Sequence, residues 1–422
     1  MRSGLLAGLA VAVALAGCGA PEDTSKGGGS SSSSWIQTDL AGADLDGDGR
    51  TDIVTIATLQ QSFGVSDGTL KIYRQTTPGA FVATSIPVGR HPWRLQIADV
   101  NGDGAPDLLV LDVIGGSGAN DDVLYLLLQD VNNRGRFLAP RVAASGLSAN
   151  DFVVTDANLD VAPDIVTAGV PAGGAGAAQY LQSLSARGTF EAASPLNLAG
   201  RVQRVGAGDV GGSGRDDLVA YSIVDTSPAA NSPGQLVVAY STLFDAAATS
   251  AFYLTPGRVM ASHVGVNAQL IALADVDGNT LQDIVVCFTP VSSAFQPKIS
   301  VVLQRALAQL EVVDTSLANL SGLDSFVVAD LNGDGRPDVA TTGTFTVGST
   351  LRSRTNVLAP TVAGRYTPTA TIDMTVPMSR INAIDVDGDT LTDLILLGEG
   401  NRAFVMLQST TTRGTFSAPR QL

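Results

Sequence analysis

Short apolar segments alternate with polar stretches along most of the chain, and the segments fall into sets of four. In one set, "LQIA" precedes a polar stretch at residues 99–107, "LLVLDV" follows it, "VLYLLLQ" comes third, and a fourth segment follows "GRF". Apolar runs of four to seven residues bounded by Gly, Asp and Pro are typical of strands joined by tight turns. The pattern therefore predicts units of four antiparallel strands.

The polar stretch is a nine-residue motif that occurs seven times. We number the copies motif 1 to motif 7; they are 44–52, 99–107, 156–164, 209–217, 275–283, 330–338 and 385–393, for example "DLDGDGRTD" and "DLNGDGRPD". Successive motifs begin 53–66 residues apart. A repeat of that length with four strands in each unit predicts an all-β fold, a seven-bladed β-propeller of four-stranded antiparallel blades. We expect one domain over residues 35–422, closed by blade packing without an exchanged strand.

Acidic or amide side chains occupy positions 1, 3, 5 and 9 of most motifs. An Asp-Gly or Asn-Gly hairpin turn would explain a single copy, but seven copies favour a bound cation. Calcium takes six to eight oxygen ligands, which alternate carboxylates and the carbonyl of position 7 can supply, and a glycine at position 6 allows a positive φ. The loops contain no His or Cys, which disfavours zinc.

The sequence therefore predicts about five or six Ca²⁺ sites. The expected ligands are Asp44, Asp46, Asp48, Arg50, Asp52, Asp99, Asn101, Asp103, Ala105, Asp107, Asp156, Asn158, Asp160, Ala162, Asp164, Asp275, Asp277, Asn279, Leu281, Asp283, Asp330, Asn332, Asp334, Arg336, Asp338, Asp385, Asp387, Asp389, Leu391 and Asp393. Motif 3 is left open, because Leu159 and Val161 replace its glycines, and a β-branched residue resists a positive φ. Motif 4 is expected to be empty, because Gly211 and Ser213 stand where ligands are needed.

The Asp-rich loops are similar to those of FG-GAP or VCBS-type repeats, which occur in integrin α-subunit propellers and many bacterial surface proteins. The resemblance covers residues 35–422 and implies a calcium-binding propeller.

Composition and charge agree with this picture. Hydrophobic residues make up 45 %, charged residues only 15 %, and there are 46 glycines, as suits a β-rich fold with many turns. The net charge is −15, and 22 of the 40 acidic residues stand at odd-numbered motif positions. The acidity is thus concentrated in the motifs, so we expect no nucleic-acid partner.

The first residues predict export and a lipid anchor. Residues 1–17 contain one Arg and a short apolar run, as in a signal peptide, and "LAGC" resembles the lipobox of bacterial lipoproteins. That resemblance implies a lipid on Cys18. The Gly/Ser-rich composition of 18–34 predicts a flexible tether. We expect a lipid-anchored protein of the bacterial cell envelope, at the outer membrane or cell surface, and the side of the membrane that it faces is left open. The alternative is an ordinary signal peptide that leaves the Cys18 thiol free.

A candidate ligand face is predicted opposite the motifs. The residues five positions before the motifs include Asp39, Arg94, Asp151, Arg204 and Arg380, and Trp35, His91 and Trp93 lie nearby in sequence. In a closed ring they would surround the mouth of the central channel. The alternative is that they are solvated residues where a strand meets a loop.

No catalytic motif surrounds His91 or His263, and Cys287 lies in an apolar strand. We therefore expect a non-catalytic, monomeric binding or adhesion platform for a protein or glycan. A carbohydrate-active enzyme, such as a polysaccharide lyase built on a propeller, is the alternative.

Overall fold

The computed structural model describes residues 34–60, 66–114, 121–158, 160–169, 176–196, 198, 200–223, 234–239, 258–263, 266–290, 296–306, 309–348, 350–361, 363–374, 376–398 and 402–422. The secondary structure of these ranges consists of strands, β1 to β28. None of the described segments is a helix long and apolar enough to cross a membrane.

Each blade contributes one strand to each of four concentric layers. The first strands are β1 (Ser34–Ala43), β5 (Pro92–Ala98), β9 (Asp151–Thr155), β13 (Arg201–Gly208), β17 (Val266–Ala274), β21 (Gly322–Ala329) and β25 (Met378–Ile384). The second strands are β2 (Asp52–Gln60), β6 (Asp107–Asp112), β10 (Asp164–Ala168), β14 (Asp217–Ile223), β18 (Asp283–Pro290), β22 (Asp338–Val347) and β26 (Asp393–Gly398). The second strand of each blade thus begins at position 9 of a motif.

The outer half of each blade follows in the same order. The third strands are β3 (Ser66–Thr77), β7 (Asp122–Leu127), β11 (Ala177–Tyr180), β15 (Gly234–Ala239), β19 (Lys298–Ala306), β23 (Thr350–Pro360) and β27 (Arg402–Met406). The outer strands are β4 (Ala80–Pro87), β8 (Arg141–Leu147), β12 (Ser194–Leu196), β16 (Arg258–His263), β20 (Gln309–Ser316), β24 (Tyr366–Met374) and β28 (Arg420–Gln421).

The described strands form seven four-stranded antiparallel sheets, each built from four consecutive strands. The first strands contact one another in a closed cycle, in which β1 touches both β5 and β25. They therefore surround the axis of a seven-bladed β-propeller, which confirms the predicted fold.

The core lies between neighbouring blades. One buried cluster joins Val54 and Ile72 of blade 1 to Leu95 and Val110 of blade 2. Another joins blade 1 to blade 7 through Leu40, Ile53, Ile395 and Leu397, among others. Blades 1 and 7 thus meet through packed side chains, and both keep four strands of their own. Among the described strands, the ring therefore closes through packing between blades 1 and 7, and neither blade takes a strand from the other.

An irregularity recurs in the first strands. The pairing of β1 with β2 shifts between Gln37 and Asp39, and β5, β13, β17, β21 and β25 shift at the corresponding place. Such a bulge inserts one extra residue and turns the strand locally. The residue that follows the bulge is the one five positions before the motif.

Candidate metal centres

The motifs connect the first and second strands of every blade, so all seven loops lie at the same end of the ring. The carboxylate of position 1 organises each loop from within. In motif 1, Asp44 Oδ1 accepts hydrogen bonds from the backbone N–H groups of Gly47 (2.7 Å) and Asp48 (3.1 Å), and Asp44 Oδ2 accepts one from Gly49 (2.8 Å). Asp99 and Asp330 make the same three bonds in motifs 2 and 6.

Position 6 has a positive φ in all seven motifs. Glycine supplies it in motifs 1, 2, 4 and 6, but Val161 (70°), Thr280 (73°) and Thr390 (71°) also adopt it. These three are the non-glycine residues with a positive φ in the described chain. Motif 3, which the sequence left open because a β-branched residue resists a positive φ, thus adopts the same loop conformation, in which the Val161 N–H donates to Asp156 Oδ2 at 3.0 Å.

Position 5 and position 7 are held together. The side-chain oxygen of position 5 accepts the backbone N–H of position 7, from Arg50, Ala105, Ala162, Leu281, Arg336 and Leu391, over 2.8–2.9 Å. This bond orients the two predicted ligand positions relative to each other.

The position 9 aspartate is buried and fastens the loop to the third strand. Asp52 Oδ2 accepts the N–H of Leu45 (3.0 Å), and Asp52 Oδ1 accepts that of Gln75 (2.8 Å). Burial raises the pKa of Asp107 to about 6 and that of Asp338 to about 7, although hydrogen bonds to backbone N–H groups oppose the shift. This carboxylate has a structural role whether or not it also binds an ion.

Three motifs bring carboxylate oxygens of three residues within 4.8 Å of one another: Asp44, Asp46 and Asp48; Asp275, Asp277 and Asp283; and Asp385, Asp387 and Asp393. Asp46 Oδ1 is buried and has no hydrogen-bond partner. Burial, followed by the charge of Asp48, raises the Asp46 pKa. An all-oxygen donor set with an unpartnered buried oxygen fits a hard cation such as Ca²⁺.

Motif 4 keeps the loop conformation without the ligand set. Asp209 accepts the N–H groups of Ser213 and Gly214, both at 2.7 Å. Asp217 Oδ2 accepts the N–H of Gly211 at 2.6 Å, one residue later than in the other motifs. The turn therefore needs position 1 and position 9 but not the acidic side chains between them.

A glutamine at the end of the third strand links neighbouring blades, and the sequence analysis missed its role. Gln129 Nε2 donates to Leu45 O (2.9 Å) of blade 1, and Gln182 Nε2 donates to Val100 O (2.8 Å) of blade 2. Gln75 donates to the carbonyl of Val386 across the closure of the ring. In the sequence, a glutamine recurs at the end of the third apolar segment, as in "IYRQ" and "LLLQ", and this recurrence could have indicated its role.

The predicted ligand face is not an exposed surface. Asp39, Arg94, Asp151, Arg204 and Arg380 are buried, each at most 8 % exposed. Arg94 Nε donates to Asp151 Oδ1 (2.7 Å), and Arg94 NH1 lies 3.4 Å from Asp39 Oδ2. The expectation that these side chains present a ligand face is corrected, because packing between neighbouring first strands buries them.

The same side chains also fasten backbones across blades. Asp39 Oδ2 accepts the N–H of Leu95 (2.9 Å), and Asp151 Oδ2 accepts that of Val205 (3.2 Å). Burial raises the pKa of Asp39 to about 6, although the positive charges of Arg94 and Arg380 oppose the shift. We call Asp39, Arg94, Asp151, Arg204 and Arg380 the axial charge ring.

The remaining residues singled out in the sequence lie at separate places. His91 and Trp93 are half-buried, and the backbone N–H of His91 donates to Asp112 Oδ1 (2.5 Å). Cys287 is fully buried, which raises its pKa well above the ordinary range. The Trp35 side chain, Cys18 and the predicted signal peptide and tether up to residue 33 lie outside what the structure describes.

The fold and the repeated loops define a class: a seven-bladed β-propeller with Asp-rich loops at one end. Within it, residues 44–110, which include motifs 1 and 2, match the model of the FG-GAP-like repeat family. Among solved structures, "Structure of Dos1 propeller" is similar, with 11 % identity, 87 % of this chain and 76 % of that chain covered, and a TM-score of 0.47. No curated protein matches. The chain is thus a propeller that carries FG-GAP-like repeat sequence.

Proposed function

We propose that the protein is a calcium-binding propeller that serves as a non-catalytic binding or adhesion platform for a protein or glycan, tethered to the bacterial cell envelope through Cys18. The observation that carries the calcium proposal is the repeated loop itself: one backbone conformation gathers oxygen donors at the same end of every blade. The motifs that bring three aspartates within 4.8 Å are the strongest support.

The sites differ in their donor sets. Motifs 1 and 7 offer four aspartates at the ligand positions, and motifs 2, 5 and 6 offer three aspartates and one asparagine. Motif 3 offers a similar set on a backbone that already has the required positive φ at Val161. We therefore include motif 3 and exclude motif 4, which gives six proposed sites.

Calcium would act on the loops in a simple way. Without a cation, the like charges of neighbouring carboxylates repel one another; a divalent ion removes this repulsion and stabilises the folded loops. A rigid ring end is a suitable base for recognition, and the many exposed loops of a propeller offer the area.

The test is a count of calcium ions per chain by elemental analysis after dialysis against calcium, for the wild-type protein and two variants. Asp330→Asn should remove one ion, and the matched change Asp209→Asn in motif 4 should remove none. No bound calcium in the wild-type protein would reject the calcium proposal.

The platform proposal needs a separate assay. Immobilised protein should retain a glycan or protein ligand chemically unchanged, in a calcium-dependent manner. Turnover of a polysaccharide in the same panel would instead establish an enzyme. Labelling with a radioactive fatty acid, compared between wild type and Cys18→Ser, tests the anchor.

A further inference from the structure

In motif 5, an arginine from outside the motif pairs with a proposed ligand carboxylate. Arg305 NH1 lies 2.5 Å from Asp277 Oδ2, and Asp277 is the position 3 ligand in the proposed site. The Asp277 side chain is only 4 % exposed, whereas that of Arg305 is 35 % exposed. A charge from the third strand therefore reaches a shielded carboxylate of the metal loop.

Arg305 is placed there by a bulge. The pairing of β19 with β20 shifts between Gln304 and Ala306, so Arg305 is the extra residue. Gln304 is the residue whose N–H bonds the position 9 aspartate. The residues that follow the corresponding glutamine in blades 1, 2, 3 and 7 are Thr76, Asp130, Ser183 and Ser409. None of these four carries a positive charge.

A second contact supports the first. Asn279, the position 5 residue, donates from Nδ2 to Gln304 O over 2.6 Å. The end of β19 thus holds the side chains of both position 3 and position 5. Arg305 also has another partner, because its Nε donates to Glu311 Oε2 (2.9 Å) at an exposed position. It can leave Asp277 without losing every ion pair.

The Arg305 guanidinium and a Ca²⁺ ion in motif 5 would compete for the same carboxylate because both are positively charged. Motif 5 has three aspartates among its ligand positions, so Arg305 reduces their combined charge from −3 to −2. Motif 1 has a similar pair between Arg50 and Asp48, but there four aspartates remain. A guanidinium and a divalent ion bound to the same carboxylate repel each other, and affinity for Ca²⁺ depends on the charge of the ligands.

We infer that Arg305 is a built-in counter-ion of motif 5, which occupies Asp277 when no metal ion is bound and must be displaced when calcium binds. This inference rests on the proposed calcium function. It makes motif 5 a lower-affinity site than its ligand set alone would give. It also means that the loop is held in place in the absence of calcium.

The test compares calcium titrations of the wild type, Arg305→Gln and Lys298→Gln by competition with a chromophoric chelator. Lys298 is the matched control, because it lies on the same strand and pairs with exposed Asp314 at 2.8 Å, away from the loop. Arg305→Gln should tighten one site by about tenfold, and the gain should disappear in Asp275→Asn/Arg305→Gln. Lys298→Gln should change the affinity less than about twofold.

A second readout separates competition from positioning. With chelator, Arg305→Gln should melt at a lower temperature than the wild type, because Asp277 loses its counter-ion; in saturating calcium the difference should vanish or reverse. Unchanged or weaker binding in Arg305→Gln would overturn the inference, and weaker binding would show that Arg305 positions Asp277 as a ligand. If other motifs bind calcium, the proposed function stands nevertheless. If neither protein binds calcium, both proposals fail.

Discussion

Arg94 provides a sensitive test of how the ring is held together. Its guanidinium lies between Asp151 (2.7 Å) and Asp39 (3.4 Å), and the three side chains are at most 3 % exposed. Replacing Arg94 by Met keeps most of the volume but leaves two buried carboxylates without their cation. Breaking a buried ion pair in this way costs about 3–5 kcal/mol, and we expect that loss in the free energy of unfolding at pH 7.

Part of this loss can be calculated from Asp39. Its pKa is already about 6, against an ordinary value of 3.8, and Arg94 is among the charges that keep it from rising further. Without Arg94, the Asp39 pKa rises further, so the folded protein binds this proton more tightly near neutral pH. Each further unit of increase adds up to about 1.4 kcal/mol to the cost at pH 7. At pH 5 Asp39 is protonated in both proteins, and this cost falls to nearly zero.

The sign follows from linkage. A carboxyl group with a raised pKa in the folded state binds more protons folded than unfolded, so stability falls as pH rises through the interval between the two values. Arg94→Met should therefore be more damaging at pH 7 than at pH 5.

The assay is denaturant unfolding with a chelator present, followed by tryptophan fluorescence, since the chain has only two tryptophans and one is Trp93. The control is Arg354→Met, which removes a more exposed pair with Asp373 and should cost less than about 1 kcal/mol. A loss in Arg94→Met below about 1 kcal/mol, or one equal at both pH values, would refute the reasoning.

Three further predictions concern single residues. Gln75→Leu should lower the free energy of unfolding by about 1–3 kcal/mol, because the Val386 carbonyl at the ring closure loses its donor; denaturant unfolding measures it. Asp324→Asn should stabilise the protein at pH 7 by up to about 3 kcal/mol and leave it unchanged at pH 4, because burial raises the Asp324 pKa to about 6; unfolding at the two pH values tests this. Val161→Gly should raise the melting temperature, since relief of a strained φ of 70° is worth about 1–2 kcal/mol and exceeds the entropic cost of glycine.

The controls for these three variants are Gln179→Leu, Asp373→Asn and Gly335→Val, in the same order. Gln179 is a buried amide without a hydrogen-bond partner and should be replaceable at little cost, so an equal loss there would reject the role of Gln75. Asp373→Asn should not stabilise at pH 7, because Arg354 lowers the Asp373 pKa; a gain equal to that of Asp324→Asn would point to surface charge instead. Gly335→Val should destabilise; an unchanged melting temperature would show that motif loops tolerate the strain freely.

The sequence by itself determined the number of blades and the strand order. Seven motifs at a regular spacing, each flanked by strand-sized apolar segments, define seven equivalent units. Local hydrogen bonds from backbone N–H groups to the position 1 aspartate fold each loop, and they join residues at most five apart. The loop conformation can therefore be predicted from the spacing of residue types. The candidate metal centres are predictable for the same reason.

Only the tertiary structure decided what the charged residues of the first strands do. Asp39 and Arg94 are 55 residues apart, and each follows a bulge, in β1 and β5, and contacts the other across the two blades instead of facing solvent. The link from Gln75 to Val386 spans 311 residues, and the contact of Arg305 with Asp277 depends on another bulge. A hydrophobicity pattern gives the two faces of a strand but not what covers them. Packing between blades places the charges, and it made an expected binding surface into a buried ion-pair network.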